Sequence, residues 1–196
     1  MDRRRLTLSL AAVFAALCLY YSGGFALLPA LALPVAAHEL SHVLALRLLG
    51  RRVTGFRLDA QGLCIDCTGG SALSDAVIAL AGPLGGAAYA FAADRAGTDW
   101  LAQSAGVSLL LSAFNLLPIL PLDGGRVFCA LCERSMRGDR AQKLYGTVSG
   151  VLLALLLIGG AILAAWEKST VPLAAALWLL LLRNDEEGLV KSGEIR

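Results

Sequence analysis

The sequence predicts an all-α polytopic membrane protein of about six transmembrane helices, with a small β-hairpin at the cytoplasmic membrane edge. Three observations carry this. The 196-residue chain is 57% hydrophobic and 16% charged, with a mean hydropathy of +0.69, whereas a soluble domain lies near about 45–50% apolar and roughly 25% charged. A domain this small has too little interior to hide that excess, so the excess must face lipid. The Lys and Arg residues cluster beside the apolar runs, where they read as topology signals. A net charge of +2, with no polybasic run carrying interleaved aromatics, gives no reason to expect a nucleic-acid partner.

The expected elements follow in chain order. Arg3, Arg4 and Arg5 precede an apolar run over 6–21, which lacks a convincing small-x-small cleavage site and reads as a retained first span. Those arginines place the N-terminus in the cytoplasm. A second span covers 25–49, loosened in its first half by Pro29 and Pro34 and closed on the cytoplasmic side by Arg47, Arg51 and Arg52. Residues 53–70 differ in kind: two short β-prone runs flank Asp59-Ala60-Gln61-Gly62 and read as a hairpin. Its edge either accepts an extended peptide by strand addition or simply connects two spans.

A third span covers 75–93 and contains Ala81-Gly82-Pro83-Leu84-Gly85-Gly86, a small-residue run that permits close helix approach. A fourth covers 100–131, broken at 118–125 by Pro118, Pro121 and the following Leu122-Asp123-Gly124-Gly125. The charged connector around Arg134, Arg137, Arg140 and Lys143 is expected in the cytoplasm. Spans over 144–166 and 171–182 complete a single domain, 1–183, followed by a cytoplasmic tail, 184–196. Both termini are then cytoplasmic, and the protein is expected in the cell membrane.

The chemistry concentrates in His38-Glu39-Leu40-Ser41-His42, inside the second span. Histidines four apart project from one face of a helix, and H-E-x-x-H is the spacing of two zinc ligands with a general base between them. These are the chain's two histidines. Three ionisable groups flanked by apolar sequence have no cheap solvated explanation at membrane depth. A catalytic zinc site needs a third protein ligand and an open position. Between Leu101 and Cys132 the one acidic residue is Asp123, in backbone that proline and glycine keep irregular. Irregular backbone at that depth is tolerated where it is buried or lines a watery cavity. Asp123 is therefore the candidate third ligand, with a capping or Arg126-paired aspartate as the alternative. Asn115, eight residues earlier, either donates to an oxyanion or substrate backbone or bridges two helices.

Of the five cysteines, Cys64, Cys67, Cys129 and Cys132 form two C-x-x-C pairs. These lie about sixty residues apart, wider than the roughly 15–20-residue gap of zinc ribbons, and read as ordinary buried thiols. With His38, His42 and Asp123 holding Zn2+ and Glu39 as base, the chain reads as a zinc endopeptidase cutting a membrane-embedded or membrane-tethered protein. A metal transporter would need polar positions along a path across the bilayer, and the remaining spans are nearly bare of them. An inert scaffold would not explain a base set beside ligands.

HELSH in an early span, followed by Asn115-Leu116-Leu117-Pro118-Ile119-Leu120-Pro121-Leu122-Asp123-Gly124-Gly125, resembles the site-2 protease family of intramembrane zinc metalloproteases. The resemblance runs from about Pro29 to Leu131. It implies zinc ligation by His38, His42 and Asp123, catalysis by Glu39, and substrate handling by Asn115. The short chain is most similar to the branch containing the stage IV sporulation protease, which releases a membrane-tethered sigma factor. That resemblance brings in a regulatory membrane protein as a further partner. Many family members carry an asparagine a few residues after the Ala-Gly-Pro run, where this chain has Gly85 and Gly86. Neither an inserted PDZ domain nor a regulatory CBS domain is expected.

Overall fold

The computed structural model describes residues 28–59, 62–68, 71–120, 122–136, 138–167 and 172–181. The span expected at 6–21 and the tail 184–196 lie outside these residues. Helix α1 spans Leu28–Leu48. Along it Ala30, Pro34, His38 and Leu46 are buried, and His42 continues the same four-residue ladder half-buried. Leu33, Val35, Leu40, Leu44 and Leu48 are exposed. One stripe thus turns inward and the leucines turn outward, as a lipid-facing helix requires.

Helix α1 ends in a Schellman motif. Arg51 N–H donates to the Leu46 carbonyl and Gly50 N–H to the Arg47 carbonyl, each at 3.0 Å. Gly50 takes the positive φ of 67° that this closure needs, a conformation that costs glycine little. Strands β1 (Arg52–Asp59) and β2 (Gly62–Thr68) follow. They pair antiparallel with Arg52 opposite Thr68 and Phe56 opposite Ile65, and the register is irregular between Val53 and Gly55.

Helix α2 (Ala72–Arg95) starts at Ser71 with a reciprocal capping box, in which Ser71 Oγ accepts from Ser74 N–H and Ser74 Oγ accepts from Ser71 N–H. Two orphan donors of the first turn are thereby satisfied. Its buried face is made of Ala76, Ala79, Gly82, Pro83, Gly86, Ala90 and Ala93. With so little side chain there, imidazole and serine side chains of the neighbouring helices reach the α2 backbone, and α2 packs against α1, α3 and α4.

Helix α3 (Asp99–Asn115) presents Ser104, Ser108 and Ser112 to the interior. Ser108 Oγ donates to the Gly86 carbonyl at 2.8 Å, and Tyr89 Oη meets Ser104 Oγ at 2.8 Å. Hydroxyls in an apolar setting need such partners. Helix α4 spans Asp123–Ser135, α5 spans Gly138–Glu167, and α6 spans Pro172–Leu181. Helix α4 packs on α5. Ile119, Leu122, Leu153 and Leu179 form a buried cluster that joins the α3–α4 turn to α5 and α6.

Three helical stretches among the described residues are long and apolar enough to cross a membrane: Ala30–Leu48, Ala72–Arg95 and Arg140–Trp166. Helix α3, at 17 residues, and the shorter α6 fall below the roughly 20 residues a bilayer core takes. The apolar run expected over 100–131 is two helices. Asn115 is the last residue of α3 and Asp123 the first of α4, with the proline-bearing turn between them.

Candidate metal centre

His38 and His42 leave one face of α1 a turn apart, their rings edge-to-face with centroids 4.8 Å apart. Their Nε2 atoms are separated by 3.2 Å. Asp123 approaches from the start of α4, with Oδ2 3.0 Å from His38 Nε2 and 3.3 Å from His42 Nε2. His38 and Asp123 are only 5% and 6% exposed. Among the described residues this trio is the one group of three or more His, Cys, Asp or Glu side chains arranged to hold a metal ion.

The triangle has the dimensions of a metal site. Zinc holds nitrogen and oxygen at about 2.0–2.2 Å, so neighbouring donors of a tetrahedron stand about 3.3–3.5 Å apart. Three donors at 3.0–3.3 Å come close to one face of that tetrahedron. The donor set, two imidazoles and a carboxylate, suits zinc and other borderline divalent ions.

Two neighbouring groups prepare the donors. His42 Nδ1 lies 2.7 Å from the Ile78 carbonyl. A carbonyl can only accept, so Nδ1 carries the proton and the Nε2 lone pair is left facing Asp123 and His38. Gly82 supplies the space. A Cβ there would stand 2.2 Å from His42 Nε2 and 2.8 Å from His38 Nε2, inside the volume that the converging donors share. Any side chain at position 82 would displace the imidazoles or fill the place of an ion. His38 Nδ1 is buried without a hydrogen-bond partner among the described residues.

Asp123 owes its position to the α3–α4 turn. Gly124 and Gly125 fold α4 back on that turn so closely that added Cβ atoms would stand 2.1 Å from the Leu116 carbonyl oxygen and 2.5 Å from the Ile119 carbonyl carbon. Asp123 occupies the first turn of α4, and the N-cap is Leu122, with no side-chain cap bond. The aspartate is therefore not the cap. Its ion pairs among the described residues are with the two imidazoles, and Arg126 is exposed. The positive end of the helix dipole favours a carboxylate at this place.

Glu39 is half-buried and lies within electrostatic reach of His38, His42, Asp123 and Arg126. Asn115 is half-buried, and its Nδ2 donates to the Leu111 carbonyl of its own helix at 3.0 Å. The structure therefore brings His38, His42 and Asp123 into contact and sets Glu39 beside them, while the Asn115 amide donates within α3. Gly82 and the Ile78 carbonyl carry no signature of a site group in the sequence. The run 81–86 announces close approach, but not that imidazoles are what approach.

A sequence profile of peptidase family M50 matches residues 72–158, which include Asn115 and Asp123 and begin after the HELSH helix. No curated protein sequence matches the chain. Among solved structures the chain is similar to the site-2 protease from Methanocaldococcus jannaschii, with a TM-score of 0.69 and 20% identity over 92% of this chain and 87% of that one. The two matches bear out the resemblance to the site-2 protease family and single out no sporulation branch within it.

Proposed function

We propose, for a chain that carries the peptidase M50 profile and the site-2 protease fold, that it is an intramembrane zinc endopeptidase acting on a membrane-embedded or membrane-tethered protein. The observation that carries the reading is the set of three donor atoms 3.0–3.3 Å apart, gathered from α1 and α4 around a glycine that leaves room between them. His38, His42 and Asp123 would hold the ion, which when bound supplies Lewis acidity toward water and a peptide carbonyl.

The chain's own groups do the rest. Glu39 takes the proton of the attacking water and returns it to the departing amine, the work of a single carboxylate acting as base and then acid. His42, fixed by the Ile78 carbonyl, keeps its Nε2 lone pair available to the ion. Asn115 handles substrate at the end of α3 by turning its amide from the Leu111 carbonyl toward the substrate backbone. The apolar flanks of HELSH suit a substrate that arrives as a membrane segment and unwinds locally, because a helix hides its carbonyls in hydrogen bonds. Release of a sigma or other transcription factor from its membrane tether is the consequence such a cut would have.

Co-expression with candidate tethered substrates tests the reading. Glu39→Gln keeps size and polarity and removes the base, so cleavage should fall by about 100- to 10,000-fold while the uncut substrate accumulates. Wild-type cleavage by that variant would contradict the mechanism.

A further inference from the structure

The candidate centre takes its donors from α1 and α4 and backs onto the α1–α2 interface, where Gly82 and the Ile78 carbonyl meet the imidazoles. That interface has few features that resist sliding along its length. The buried face of α2 is alanine, glycine and one proline. In lipid, small residues let helices approach closely, but no hydrophobic force presses them into one position. A slip of one residue moves a helix by about 1.5 Å. That is enough to part His42 Nδ1 from the Ile78 carbonyl, now 2.7 Å away. The covalent link between the helices is the β1–β2 hairpin, which crosses from Arg52 to Thr68.

Three approaches between the helices nevertheless share one antiparallel register. Ser41 faces Gly85, where a Cβ would meet Ser41 Oγ at 1.8 Å, and His42 faces Gly82. Nine residues beyond His42, Arg51 meets the first turn of α2. Its Nη2 donates to Ser74 Oγ at 2.8 Å and to the Asp75 carboxylate. The Arg51 side chain is only 9% exposed. Ser74 is itself held by the capping box with Ser71, so the guanidinium reaches one acceptor whose position is already fixed, beside the more exposed Asp75 carboxylate. Asp75, Ile78 and Gly82 follow one another at three- and four-residue steps, along one side of α2.

We propose that Arg51 is a positioning residue for the metal centre: its clamp on Ser74 and Asp75 pins the axial register of α1 on α2 and so holds His42 against the Ile78 carbonyl. The inference rests on the metal-centre reading above. The charge at position 51 therefore does more than mark the cytoplasmic end of a span.

The test is zinc affinity, measured on the full-length protein in detergent by competition with a chromophoric chelator. Arg51→Met keeps the aliphatic stem and removes the fork, and should weaken zinc about 10-fold or more, the scale on which lost support of a ligand acts. Asp75→Asn should weaken it less, because the Ser74 contact remains. Arg51→Lys, and the exchange of Arg51→Asp with Asp75→Arg, should each restore part of the affinity. A merely structural role would lower the melting temperature of every variant without this rescue pattern. Unchanged zinc affinity in folded Arg51→Met and Asp75→Asn proteins would overturn the clamp. Should Arg51→Met fail to fold, unchanged affinity in Asp75→Asn overturns it alone. Failure of the wild-type protein to bind zinc, or full binding by Asp123→Ala, would instead overturn the metal-centre reading.

Discussion

Helices α2 and α5 are both long and apolar enough to cross a bilayer, yet they are built for different surroundings. Helix α2 buries Ala76, Ala79, Gly82, Pro83, Gly86, Ala90 and Ala93 and is flanked by three other helices. Helix α5 exposes Val151, Leu155, Ile158, Ile162, Leu163 and Trp166, and buries little beyond Ala141, Ser149, Leu153 and Gly160. The candidate metal centre sits against the less apolar of the two. A helix that faces lipid can be leucine all round, whereas a helix that carries a site must give up side-chain volume so that imidazoles and serines can reach it. Raw hydropathy therefore points away from the half of the molecule that holds the candidate centre.

The comparison breaks most sharply at Gly82. Replacing it by valine puts branched carbon where His38 and His42 converge, and should lower zinc affinity by about 100-fold or more, beyond the range of a supporting contact. Equilibrium dialysis of the purified variant measures this, and a wild-type affinity would show that Gly82 is not the cradle. Gly124→Val is next. Its Cβ collides with the Leu116 carbonyl, so the first turn of α4 must move and carry Asp123 with it. The expected loss is about 10- to 100-fold in zinc affinity, with the fold retained as judged by circular dichroism.

On the α5 side, Leu153→Ala should leave zinc affinity unchanged. Leu153 is 2% exposed and packs with Ile119, Leu122 and Leu179. A buried Leu→Ala change in a water-soluble core costs about 2–5 kcal/mol. In lipid the transfer part of that cost shrinks, because the acyl chains are as apolar as the leucine, so about 1–2 kcal/mol is expected from the lost packing. Denaturation of the detergent-solubilised protein reads this. A fall in metal affinity comparable with that of Gly82→Val would erase the distinction between the two halves.

Much of the site could be read from residue types and their spacing. The ladder from His38 to His42 is a helical period in an apolar context, where no solvated surface explains ionisable groups. Asp123 stood out because a carboxylate in a proline- and glycine-broken apolar segment needs a partner, and the structure supplies two imidazoles for it. The break between Asn115 and Asp123 was equally plain, since Pro118 and Pro121 cannot continue a helix. Other features were hidden for physical reasons. The Ile78 carbonyl belongs to the backbone and has no side-chain signature. Gly82 differs from its small neighbours only in what lies opposite it, which depends on the register of two helices. Arg51 reads as a topology marker until Ser74 and Asp75 are seen against it. The Asn115 amide is turned to the Leu111 carbonyl, a local choice that span-level reasoning does not reach.

The central claim is that His38, His42 and Asp123 together hold a divalent ion that Glu39 does not help to bind. Zinc per chain, measured by mass spectrometry of metals on purified Glu39→Gln and Asp123→Ala proteins, tests it directly. About one zinc per chain is expected in the Glu39 variant and a loss of most of it in the Asp123 variant. Full zinc in Asp123→Ala, or none in Glu39→Gln, would contradict it.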